Sequence, residues 1–270
     1  MKNIITLTSS DKKSIVKIDN GELISYIKNE EELIHQKGNL GWTKSDIEMF
    51  PIIGPTYKNN NIVSTPKGNC IQDQHGFLRE LKYKPIENSG TEVVFKKIYK
   101  ANTKIKNSRF PKDSNEPYVF WVYDFNFTKS LKLNNKDLKI QFEITSEKSM
   151  PFMLGYHPAF KLSGNLDENI QIKNKKITIN DIIQKGGAAY PFFDTNEITL
   201  IKKDGQNIQL KTEGFDTIMF WTEVPNMVCL EPITQYPNLE TQNYSKNNMR
   251  LSKEKEVFSI VITPIKKQSK

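Results

Sequence analysis

Three short stretches each set a titratable side chain in an apolar or glycine-bearing frame. In Gly155-Tyr156-His157-Pro158-Ala159-Phe160 the following proline disfavours helical geometry at His157. Its imidazole is therefore expected on an extended segment, held in one direction among the aromatic faces of Tyr156 and Phe160. In Val228-Cys229-Leu230-Glu231-Pro232 a glutamate ends an apolar run and is locked by proline. Burial there would raise its pKa toward the working range of a general base. In Gln74-His75-Gly76-Phe77-Leu78-Arg79 the glycine permits close approach to the backbone, and Arg79 offers a planar fork of donors to hydroxyls or an anion. Asp216, ahead of the apolar strand that begins at Thr217, is a candidate for the same pocket or for a turn cap.

An imidazole and a carboxylate in apolar surroundings form a proton-transfer pair. Other groupings of the same residues are weaker. Two histidines and a glutamate suit zinc, but the short helical spacing of most His-based zinc enzymes is missing, so no metal is expected. Asp216 with Glu231 would make a glycosidase pair, which leaves both histidines without a role. His35, in Glu32-Leu33-Ile34-His35-Gln36, has polar neighbours and no glycine or proline frame, and is expected at the surface.

The elements that must position these groups read as short strands. Asp19-Asn20-Gly21 joins two alternating runs as a hairpin, and Asn134-Asn135-Lys136 joins the long runs 118–127 and 137–144. Period-two patterning of β-branched and aromatic residues is what a half-buried strand selects. No window carries a long 3.6-residue period; Asp46 to Phe50 reads at most as a helical turn. The fold class predicted is all-β, a large antiparallel β-sandwich, and without a Gly/Ser/Pro-rich linker residues 1–270 are read as one domain.

The formal charge of +8 is spread along the chain, with acids between the lysines and no basic stripe interleaved with aromatics, which argues against nucleic acid as a partner. Cys70 and Cys229 lie too far apart in sequence to suggest a disulfide framework or a zinc ribbon, and fit a reducing compartment. No run approaches the ~20 apolar residues of a membrane span and the N-terminus lacks a signal-peptide pattern. A cytoplasmic protein is expected.

Five motifs in order, Met49-Phe50-Pro51-Ile52-Ile53-Gly54, His75-Gly76-Phe77-Leu78-Arg79, Gly155-Tyr156-His157-Pro158-Ala159-Phe160, Phe215-Asp216-Thr217 and Cys229-Leu230-Glu231-Pro232, resemble the aldose 1-epimerases of the galactose mutarotase-like superfamily, in particular their LacX-like branch. The resemblance implies a supersandwich with a small-molecule sugar in an open cleft. It further implies Glu231 as the base on the anomeric hydroxyl, His157 as the acid on the ring oxygen, and His75, Arg79 and Asp216 as substrate-binding residues. Such chemistry needs no cofactor. One departure stands out: many relatives carry an arginine soon after the Phe-Pro-x-x-Gly element, where this chain has Gly54-Pro55-Thr56-Tyr57-Lys58. That loss motivates an alternative, a sugar-binding or regulatory protein without turnover, with Lys58 as a possible substitute for the missing guanidinium.

Overall fold

Alternating patterns throughout the chain lead to antiparallel sheet. The computed structural model describes residues 4–267. Among these, nine strands form one sheet in the order Lys175–Thr178, Asn169–Ile172, Glu197–Ile201, Asn207–Glu213, Lys255–Ile265, Leu138–Ser146, Phe125–Leu133, Glu92–Tyr99 and Lys84–Asn88. A second sheet runs Tyr190–Phe193, Thr217–Trp221, Met227–Ile233, Gly155–Tyr156 and Glu48–Met49, with Ala159–Lys161 also paired to Met227–Ile233. The result is the large antiparallel β-sandwich expected from the sequence. The only α-helix among the described residues is the five-residue Ile179–Ile183, started by a capping box between Thr178 and Asp181.

Both sequence-marked turns form: Asp19 pairs with Glu22 across Asn20 and Gly21, which take φ of 51° and 86°, and Leu133 pairs with Leu138. The first arm of the second hairpin is Phe125–Leu133 rather than 118–127, because the chain leaves strand geometry at 120–124 and Tyr118–Val119 pairs with Ile105–Lys106 in a separate two-stranded sheet. Aromatic side chains from the nine-stranded sheet meet others from the second sheet and its flanking segments in the core, with ring centroids 5.2 Å apart for Phe142 and Tyr156, 5.6 Å for Phe127 and Phe50, and 6.2 Å for Phe258 and Phe152. Such pairs stabilise beyond simple area burial.

The segment Asp46 to Phe50 is extended rather than a helical turn. Period two therefore sets Asp46 and Glu48 on the same side, both buried. There they meet Lys129, which is fully buried; its Nζ lies 2.7 Å from Asp46 Oδ2, 2.7 Å from Glu48 Oε1 and 2.8 Å from the Gly21 carbonyl. Tyr156 Oη donates to Asp46 at 2.6 Å. Lys97 joins the group, 3.8 Å from Glu48 and 3.8 Å from the centre of the Tyr83 ring. A buried cation without such partners would cost several kcal/mol. Here burial opposes the Lys129 charge, but Asp46 and Glu48 outweigh it and hold its pKa above the ordinary lysine value.

Candidate active site

His157 is fixed by its backbone on one side and by aromatic rings around its imidazole. Its N–H donates to the Ile47 carbonyl at 2.9 Å and its carbonyl accepts from Ile47 N–H at 3.3 Å. The neighbouring rings are those of Trp42 (4.4 Å between centroids), Trp221 (5.9 Å) and His75 (6.1 Å). Tyr156 and Phe160, expected to flank the imidazole, instead lie in the core cluster, because strand alternation turns them away from it. Only 7% of His157 is exposed, and burial, with a smaller push from the Arg79 charge, lowers its pKa to about 3.

Glu231 lies within the strand Met227–Ile233, opposite Met219 in register, and both side chains line a cleft of about 1210 Å³. It is 2% exposed. Its Oε1 comes within 3.2 Å of His157 Nε2, yet without the alignment of a hydrogen bond, so Oε1 has no hydrogen-bonding partner. Burial raises its pKa to about 8. Near neutral pH the pair therefore holds one proton, resting as a neutral imidazole beside a carboxylic acid. A dry pair poised in this way is suited to moving protons on a bound ligand.

His75 reaches the same cleft from a left-handed turn, with φ of 66° at His75 and 67° at Gly76. Glycine is required at position 76: an added Cβ would stand 2.2 Å from the Phe50 carbonyl oxygen. His75 Nδ1 lies 3.3 Å from the Gly54 N–H and its Nε2 lies 3.3 Å from the Gln74 side-chain amide. Burial, the charges of Arg79 and Arg109, and the neighbouring His157 hold its pKa well below the usual value. Arg79 also lines the cleft, but its Nη2 donates to the carbonyls of Gln74 and Gly76. It thus holds the turn that carries His75.

Asp216 does not join this group. It is exposed ahead of the strand Thr217–Trp221 and absent from the cleft wall. Met219 is the residue opposite Glu231, so Asp216 lies three residues further along, roughly 10 Å at strand rise. The Asp216–Glu231 carboxylate pair is thereby not formed. Lys58 is also exposed, its Nζ donating to the Leu239 and Glu240 carbonyls, outside the cleft lining. Arg109 supplies a guanidinium to the wall instead, 3.5 Å from Asp73, which also accepts from Asn107 at 2.8 Å. His35 is 1% exposed rather than on the surface, its Nε2 2.8 Å from the Trp42 carbonyl oxygen. Among the described residues no group of three or more His, Cys, Asp or Glu is placed to hold a metal, and no helix is long and apolar enough to cross a membrane.

Trp42, Trp221 and Arg109 were not picked out from the sequence. Trp221 could have been, since it shares the odd-numbered face of Thr217–Trp221 with Met219. Trp42 and Arg109 come from irregular segments, where no periodicity points to a face.

The large antiparallel sandwich is shared with solved galactose mutarotase-like structures. A galactose mutarotase-like protein from Lactobacillus casei ATCC 334 superposes with a TM-score of 0.77 at 17% identity, covering 97% of this chain and 100% of that one. Galactose 1-epimerase from Lactobacillus acidophilus NCFM gives 0.66 at 12%, covering 98% and 99%. At these identities the likeness is one of fold. In sequence, the chromosomal LacX protein of Lactococcus lactis subsp. lactis is 26% identical over 126 residues; the match spans 44% of this chain and 37% of LacX, well under half the length of that relative. The family model of aldose 1-epimerase matches residues 55–222, and the chain belongs to that family. Membership supports a carbohydrate epimerase type of function.

Proposed function

We propose that this protein is an aldose 1-epimerase that interconverts the α and β anomers of a hexose or hexose derivative. The observation that carries the reading is the 3.2 Å approach of His157 Nε2 to Glu231 Oε1 inside a cleft that removes both from water. Opening a hemiacetal ring takes a proton from O1 and delivers one to O5 as the C1–O5 bond breaks. Rotation about C1–C2 and the reverse transfers then close the other anomer, with no net gain or loss of protons. In this scheme Glu231 takes the O1 proton and His157 donates to O5. The resting proton must first pass from Glu231 to His157, for which the two side chains must turn into line across their 3.2 Å contact, and sugar hydroxyls donating to the carboxylate favour that transfer.

His75, and Arg79 through the turn it braces, are assigned to holding the sugar. Asp216 stands too far along its strand to support the binding role the resemblance implies. Trp42 and Trp221 offer apolar faces to a sugar ring and exclude water from the pair. The alternative of sugar binding without turnover was motivated by the absent arginine after Gly54, and Arg109 in the cleft wall weakens that motivation.

The test is polarimetry or NMR anomer exchange on freshly dissolved α-aldoses and hexose 6-phosphates. Wild-type protein should accelerate equilibration, and Glu231→Gln should lose roughly 10²–10⁴-fold of that rate. A wild-type rate equal to buffer across the panel would refute the reading, and calorimetric sugar binding in that case would favour the alternative.

A further inference from the structure

The segment that carries Trp42 is a strap that leaves and rejoins the sheet at one residue. The N–H of His35 donates to the Ala159 carbonyl at 2.9 Å, and the N–H of Ala159 donates to the Ser45 carbonyl at 2.8 Å. Glu22 ties the two ends a second time, accepting from Lys37 Nζ at 2.5 Å and from the Ser45 N–H and hydroxyl at 3.0 and 2.9 Å. Between these anchors the strap lies against residues 224–227. Asn226 Nδ2 donates to the Leu40 carbonyl at 2.7 Å, and the Trp42 N–H points to Met227 Sδ at 3.3 Å. Gly41, at φ of 116°, would place a Cβ 2.9 Å from both Met227 Sδ and Val224 Cγ2, so any other residue there would be strained in its backbone and would push these side chains away.

On the other side of Trp42, His35 Nε2 approaches its carbonyl oxygen at 2.8 Å. A carbonyl accepts only, so Nε2 carries the proton. The indole on the same residue packs on the His157 ring at 4.4 Å. Asn226 and Met227 fix the peptides before Trp42, whereas His35 fixes the peptide after it. Without this bond the indole plane is free to tilt about the strap.

From this geometry we infer that His35 is a positioning residue for the proposed reaction: its Nε2–H holds the Trp42 peptide, and through the indole it sets the orientation of the His157 imidazole. The inference rests on the epimerase reading for its kinetic consequence, but not for its structural one. His35 does not line the cleft; it acts through Trp42.

The test compares His35→Leu, which removes the donor, with His35→Gln, whose amide N–H reaches a similar distance. In the wild type, the Trp42 ring current should displace the His157 ring-proton resonances in NMR spectra. His35→Leu should lose that displacement and reduce kcat for anomer exchange roughly 10- to 100-fold, as a misdirected catalytic group does, with a smaller change in KM. His35→Gln should restore most of both. A folded His35→Leu with unchanged His157 resonances and unchanged kcat would overturn the inference, as would a His35→Gln no better than His35→Leu. Should His35→Leu fail to fold, wild-type protein labelled at histidine nitrogen decides: a slowly exchanging Nε2–H coupled to the Trp42 carbonyl is expected, and a proton on Nδ1 overturns the inference. If wild-type protein turns over no aldose, the epimerase reading fails while the resonance comparison still judges His35.

Discussion

The pH dependence of turnover follows from the opposite displacement of the two pKa values in the pair. The active form carries one proton on His157 and Glu231 together, and both placements of that proton titrate as one species. With limits of about 3 and about 8, the singly protonated fraction is about 0.99 at pH 5, about 0.9 at pH 7, about half at pH 8 and about a tenth at pH 9. Were both groups at their ordinary values of 4.5 and 6.5, the same fraction would already fall to about a quarter at pH 7 and about 0.03 at pH 8. The two cases separate cleanly between pH 7 and 8, with about a two-fold loss against about an eight-fold loss. The measurement is kcat/KM for anomer exchange by polarimetry, with the buffer-catalysed rate subtracted at each pH, because this parameter reports the free cleft. A plateau from pH 5 to 7 with its alkaline limb near 8 is expected. A limb near 6.5 would refute the argument that a dry cleft sets the protonation of the pair.

Three further outcomes follow. Glu231 has a folded pKa of about 8 against an ordinary 4.5, so its contribution to stability is full below 4.5 and is lost as pH rises to 8; Glu231→Gln should therefore melt at a higher temperature than wild type at pH 8 in calorimetry, though inactive. Lys129→Met leaves Asp46 without its cation and Glu48 with only Lys97 at 3.8 Å, and should lower the unfolding free energy in urea by about 3–5 kcal/mol; a loss under about 1 kcal/mol would show that the carboxylates are readily hydrated or protonated there, or held by Lys97. Asp216→Ala, at an exposed position outside the cleft, should leave KM for the sugar within about two-fold of wild type, as surface changes away from a site do, and a large rise in KM would show that Asp216 reaches the sugar after all.

The strands were legible because alternation and turn residues speak locally: the turns at Asn20-Gly21 and between Leu133 and Leu138 form where the pattern put them, whereas the run 118–127 looked continuous although it breaks at 120–124 and its first two residues join another sheet. His75, His157 and Glu231 were legible because glycine or proline frames them within apolar runs. Asp216 looked equivalent in its local context, but its distance from Glu231 depends on the register of Thr217–Trp221 against Met227–Ile233, which no single strand encodes. His35 looked exposed because no glycine or proline frames it and Gln36 and Lys37 follow it, while its neighbours in space, Ala159 and Trp42, are supplied by other segments. Lys97 and Lys129 occupy inward positions of their strands, each between two apolar residues of the same face. Their phase was visible, but their carboxylate partners were hidden by reading Asp46 to Phe50 as a helical turn.

That buried charge group also acts as a lock on pairing. In a sheet, a slip of one residue exchanges the two faces of a strand. For an all-apolar strand such a slip exchanges one greasy side chain for another, and wrong alignments stay competitive. Slipping the segment Asp46 to Phe50 by one place would turn both carboxylates away and strand Lys129 in the core without a counter-charge. The misaligned state is thus penalised far more than the correct one is favoured. Because Ile47, between the two acids, holds the backbone of His157, the same penalty guards the alignment of the imidazole against Glu231.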